Sequence, residues 1–141
     1  MKKALIVFGG WPGHEPEKCN EILSKFLNSE GYEVRSENST EAFAEDYVHE
    51  MDLIIPIVTM AFHHSPKGEI KKNEVNNLIK AVVNGCGLAG HHGGMCDAFR
   101  QSIDWQFLTG GQWVSHPNGI HDYKVNITKR NDPIMAVSYT H

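Results

Sequence analysis

The chain has 141 residues, nine of them histidine, and its 13 basic and 17 acidic side chains leave a net charge of −4 and a pI near 6.1. That length suits a single domain with one core, and basic residues scattered along an acidic chain give no footprint for nucleic acid. No stretch approaches the roughly 18 apolar residues of a membrane span, the run behind Lys2-Lys3 is too short for a signal-peptide core, and three cysteines without a disulfide-like framework fit a reducing, cytoplasmic setting.

Ala4 to Phe8 is a continuous apolar run ending at Gly9-Gly10, the pattern of a parallel strand buried on both faces. Cys19, Ile22, Leu23, Phe26 and Leu27 then recur at helical spacing until Gly31 supplies a stop. Tyr32 to Arg35 alternates as a strand with one polar side, and Ser39-Thr40-Glu41 offers a helix N-cap before a short acidic piece. Leu53 to Val58 is a second buried run, in which Pro56 lacks a ladder donor and is expected at the strand's end, an edge or a bulge. A polar turn from Thr59 to Lys67 follows. Val75, Leu78, Ile79, Val82 and Val83 make a second helical stripe closed by Gly85, and Gly87 to Gly90 leads into a glycine-rich turn. Met95 to Gln101 reads as helical, Gly110-Gly111 and Pro117-Asn118-Gly119 as turns, and Tyr123, Val125 and Ile127 alternate as a late strand.

Strands alternating with helices mean parallel pairing and a three-layer α/β/α sandwich with a mostly parallel sheet. In such sheets ligands bind beyond the carboxyl ends of the strands, commonly between the first and third. The loops leaving those ends carry His14, His63 and His64, and His91 and His92. A neutral imidazole on that rim can serve as acid, base or metal ligand.

Gly90-His91-His92-Gly93-Gly94 has the outline of a nucleophile elbow, a tight strand-to-helix turn that projects its central side chain over the sheet, and places His92 at the tip. The amides that follow, that of Gly93 above all, would face a developing oxyanion. No Ser or Cys occupies the tip, which argues against nucleophilic catalysis. Cys86 is expected at the opposite end of the sheet, Cys19 on the buried helix stripe, and Cys96 as a partly buried, inert thiol. The histidines, with Asp97, His116 and His121, leave a metal open. Without His-x-x-x-His or Cys-x-x-Cys any such site would need several loops, so no metal ligand is assigned. Phe107 reads as core. Gln112, Trp113 and His116, in a polar and turn-rich stretch, would suit a wall that stacks on a sugar ring and bonds its hydroxyls.

These pieces together resemble the ThuA-like (trehalose utilisation) family, a branch of the class I glutamine amidotransferase-like fold. The residues that carry the resemblance are Gly9-Gly10-Trp11-Pro12-Gly13-His14-Glu15, the strand from Asp52 to Met60, Gly87 to Arg100 with its glycine-histidine elbow, Gly110-Gly111-Gln112-Trp113 with His116-Pro117, and Val125-Asn126-Ile127-Thr128 with Asp132-Pro133-Ile134. The resemblance implies a flavodoxin-like sandwich with His92 where amidotransferase relatives carry a nucleophilic cysteine, hence no glutaminase activity and a link to sugar catabolism. It also implies one ThuA-like domain over residues 1–141 that lacks the family's C-terminal portion, with exposed sheet edges that would favour a homo-oligomer.

The functional expectation is acid/base chemistry on a sugar or keto-sugar, without a cofactor, with His92, His91, His14 and Asp97 as catalytic residues. Gly10, Trp11, Gly93, Gly94, Gln112, Trp113 and His116 would contact the small-molecule sugar ligand. A non-catalytic sugar-binding or assembly protein, and a metal-dependent hydrolase, are the alternatives.

Overall fold

The computed structural model describes residues 1–61, 70–116, 119–128 and 131–133. Its four strands, β1 (Lys2–Gly10), β2 (Tyr32–Glu37), β3 (Leu53–Thr59) and β4 (Gly87–Leu88), form an all-parallel sheet in the order β2-β1-β3-β4. The apolar runs in β1 and β3 sit at its centre because both faces are covered. Ala4, Ile6, Ile55 and Ile57 pack under helix α1 (Pro16–Ser29) through Leu27. Leu5, Val7, Ile54 and Val58 face the other layer. There helix α2 (Lys72–Val83) brings Val75, Leu78 and Ala81, and two 3-10 helices, Thr40–Ala44 and Asp46–Glu50, bring Phe43 and Val48. The result is the expected α/β sandwich. The chain passes from β1 outward to β2 and then back across to β3, so the strand order reverses between β1 and β3, where the crevice was expected.

Several local expectations are corrected. Of the apolar stripe on α1, the i, i+4 row Cys19-Leu23-Leu27 turns toward the sheet, and Ile22 and Phe26, rotated away from it, are 67% and 57% exposed. Val83, in the last turn of α2, also points outward. Pro56 is buried in the middle of β3, not at its end. The Ile54 carbonyl accepts from Ala89, and by strand alternation Pro56 faces the same side, where β4 has already stopped after pairing with Leu53 and Ile54. Its missing donor therefore falls on a local edge.

Past the turn, helix α3 is a single turn, Gly93–Cys96, rather than the longer helix expected from Met95 to Gln101. The carbonyls of Asp97 and Ala98, which would continue that helix, instead accept the amides of Met60 and Ala61 beyond the end of β3. Helix α4 (Ile103–Thr109) then starts at Ser102, whose side chain accepts from the Trp105 amide, and ends at Gly110 with φ 74°. Trp105 is the buried aromatic here, whereas Phe107 is 81% exposed and is not core. Tyr123, Val125 and Ile127 form no strand, and Tyr123 and Val125 are exposed. Alternation makes a strand only where an edge is available to pair, and none of the described residues pairs with this one. His63 and His64 lie outside the described residues, as do Pro117-Asn118 and Ile134.

One buried charge marks the layer opposite α1. Glu74, 1% exposed, accepts from the Lys71 amide at 2.8 Å, and burial raises its carboxyl above the usual carboxylate range. The unfolded chain therefore releases this proton first. The penalty is absent below the unfolded value and grows as pH rises toward the folded one. Glu74→Gln keeps an acceptor for the Lys71 amide without the charge. Its melting temperature should exceed that of the parent at pH 7, with the gap closing by pH 4. An equal gap at both pH values would refute the assignment.

Candidate functional site

Two loops from the carboxyl end of the sheet meet at Thr59, the last residue of β3. Gly10 closes β1 with φ 78°, and a Cβ there would lie 2.1 Å from the Thr59 carbonyl oxygen, so the chain passes this point only as glycine. The next amide, that of Trp11, donates to the same carbonyl at 2.8 Å. Pro12–His14 then forms a 3-10 turn that returns the His14 ring to Thr59, with Nδ1 3.0 Å from Oγ1.

The second loop is the glycine-histidine turn. His92 caps α3 with φ 50° and ψ −142°, a conformation that costs a residue with a Cβ on the order of 1–3 kcal/mol and is held by what surrounds it. The supports are close. A Cβ on Gly93 would lie 2.8 Å from the Thr59 methyl, and one on Gly94 would lie 3.1 Å from the Ile57 Cα. This is the elbow geometry expected from the sequence, with His92 at its tip. Because α3 has one turn, any help to an anion comes from individual amides rather than from a helix dipole.

The third piece is the extended segment after α4, tied to the turn by the Trp113 amide, which donates to the Cys96 carbonyl at 2.8 Å. Five rings consequently form a row: Trp11 to His14 at 4.8 Å, His14 to His92 at 4.9 Å, His92 to Trp113 at 6.4 Å and Trp113 to His116 at 4.7 Å between centroids. Two of them, His14 and His92, line a cavity of about 220 Å³ together with His91, Thr59, Ile57, Cys19 and Gly94.

Electrostatically, His14 is the perturbed member. Partial burial and the neighbouring His92, His116 and His91 hold its imidazole below the usual histidine range, against the opposing charge of Asp97. It is therefore neutral at pH 7, the form a general base requires. In the tautomer whose Nδ1–H donates to the Thr59 hydroxyl, Nε2 carries the lone pair. His91 and His92 are exposed at the rim.

The structure thus brings together His14, His91, His92, Gly93, Gly94, Trp11, Trp113 and His116. Asp97 is buried below them, pairs with Arg100 and does not line the cavity, so its influence on His14 is through charge. Gln112 faces away, lining a separate shallow groove of about 320 Å³ with Gln106 and Phe107. Gly10 shapes the backbone rather than meeting the cavity. Cys96 is exposed, contrary to expectation, and Cys19, half-buried, donates its thiol to the His14 carbonyl at 3.5 Å. Sequence reasoning missed Thr59 and Cys19. The only signal for Thr59 was its position as the first polar residue after a buried strand. Among the described residues, no group of three or more His, Cys, Asp or Glu side chains is placed to hold a metal ion, and no helix is long and apolar enough to cross a membrane.

A family model described as ThuA, trehalose utilisation, matches residues 3–139. No curated protein and no solved structure matches the chain.

Proposed function

We propose, from the premise that this chain belongs to the ThuA (trehalose utilisation) family, that the histidine cavity performs acid/base chemistry on a keto-sugar. Membership carries a role in trehalose utilisation; the reaction is our reading. The observation that carries it is the pairing of a neutral His14, anchored on Thr59, with a strained His92 whose ring lies 4.9 Å away at the elbow tip. A carbonyl on the sugar acidifies the adjacent C–H. His14 Nε2 takes that proton, and the C–H electron pair forms an enolate on the carbonyl oxygen; as the enolate returns to the ketone a C=C bond forms, the glycosidic C–O bond β to the carbonyl breaks, and the departing alkoxide takes a proton from His92. Trp11 and Trp113 at the two ends of the imidazole pair supply faces for the sugar ring. A histidine at the tip leaves no nucleophile for an acyl-enzyme, which supports the absence of glutaminase activity.

The test is turnover of a 3-keto-disaccharide by the purified chain. His14→Ala and His92→Ala should each lower the rate by about a hundredfold or more, within the range of a positioned acid or base, while the circular dichroism spectrum stays unchanged. Undiminished turnover in both variants would remove the assignment. Binding of the disaccharide without product would instead favour a sugar-binding protein.

A further inference from the structure

Resting on the reading above, we propose that Thr59 is the positioning residue for both proton-transfer groups, its hydroxyl orienting the His14 base and its methyl holding the elbow that carries His92. Thr59 is 2% exposed, its register in the central strand pair sets it beside Gly10, and its carbonyl accepts the Trp11 amide, so its backbone is fixed. A β-branched side chain on such a backbone has little χ1 freedom. Its two branches meet different partners. Oγ1 lies 3.0 Å from His14 Nδ1, and the methyl is the nearest atom to a Cβ built on Gly93, at 2.8 Å. The same Cβ would meet Oγ1 at 3.2 Å and His14 Cε1 at 3.3 Å, so Gly93 is seated against both residues.

The hydroxyl serves the base. When it accepts from Nδ1–H, Nε2 carries the lone pair that the C–H proton needs, and the hydroxyl's own proton turns toward the cavity that Thr59 lines. Once Nε2 has taken that proton, the imidazolium still donates from Nδ1, so one contact serves both charge states and the ring need not turn. The reverse bond, from the hydroxyl to a bare Nδ1, would leave His14 no lone pair at Nε2. The methyl serves the acid. His92 holds φ 50° and ψ −142°, a conformation that persists only where its neighbours over-determine it. Gly93, the next residue, rests on the Thr59 methyl. Removing that methyl opens a space beside the elbow into which the strained turn relaxes, drawing the His92 ring from its place 4.9 Å from His14.

The two branches can be removed one at a time, Thr59→Val keeping the methyl and Thr59→Ser keeping the hydroxyl. With a 3-keto-disaccharide deuterated at C2, loss of deuterium reports the His14 step and release of the second sugar reports the His92 step. Thr59→Val should slow both by about tenfold to a hundredfold through kcat with little change in KM, the scale expected for a misplaced reacting group. Thr59→Ser should restore deuterium loss while sugar release stays slow, because an enolate whose leaving group lacks its proton returns to the ketone. Equal losses by the two variants on both readouts, or a parent-like kcat in Thr59→Val, would overturn the proposal. Nitrogen NMR of the His14 ring in the unsubstituted chain tests the same bond whether or not the variants fold. A proton on Nδ1 is expected, and a bare Nδ1 with keto-sugar turnover intact would overturn the proposal alone. A parent chain that neither loses deuterium nor releases sugar would overturn both this proposal and the reading beneath it.

Discussion

Gly10→Ala is expected to be among the most damaging single substitutions in this chain, costing about 3 kcal/mol or more and removing the site with the fold. The added methyl would fall 2.1 Å from the Thr59 carbonyl oxygen and 2.9 Å from its backbone nitrogen and carbon, all fixed in the central strand pair. No rotamer relieves a Cβ, so β1 and β3 would have to separate at their carboxyl ends, and the φ of 78° adds left-handed strain. The Trp11 amide would lose the Thr59 carbonyl and His14 would lose its hydroxyl partner. Urea denaturation should show a lower midpoint, and near-ultraviolet dichroism should show Trp11 released. A parent-like midpoint would mean that the strand ends are looser than described.

Trp105→Ala should destabilise by about 3–5 kcal/mol, the usual range for truncating a buried indole. Trp105 is 2% exposed, stacks edge-on against Phe99 at 4.9 Å, and donates its Nε1–H to the Met95 carbonyl at 3.0 Å. The change leaves a cavity and an unmet carbonyl inside the elbow itself. Trp105→Phe keeps most of the volume without the hydrogen bond and should cost less. Thermal unfolding of the two variants compares the contributions, and equal losses would mean that the bond to Met95, rather than packing, dominates.

The parts of the fold that were legible in the sequence are those where burial alone decides. Ala4 to Phe8 and Leu53 to Val58 read correctly because a strand covered on both faces must be apolar throughout, and Val75, Leu78 and Ile79 because α2 has one covered side. Failures came where a partner distant in sequence overrides the local pattern. Asp97 and Ala98 look helical, but their carbonyls are drawn to Met60 and Ala61. Ile22 and Phe26 belong to the apolar stripe of α1 yet lie outside the row that meets the sheet. The elbow was legible because its glycines have a steric reason: Gly93 and Gly94 leave no room for a Cβ against Thr59 and Ile57. The sequence could not reveal that Gln112 faces away from Trp113's side, or that Asp97 is held by Arg100, since both depend on how an irregular segment crosses the surface.

The position of Thr59 has a consequence for how the site is lost. One residue supplies a carbonyl to Trp11, a hydroxyl to His14 and a methyl against Gly93, while the next residue, Met60, donates its amide to Asp97. Fraying of a single strand end would release every wall of the cavity at once, so the pocket behaves as one cooperative unit rather than as independent loops. A ligand gripped there would act as a clamp on the central strands, turning occupancy into resistance to unfolding far beyond the atoms it touches.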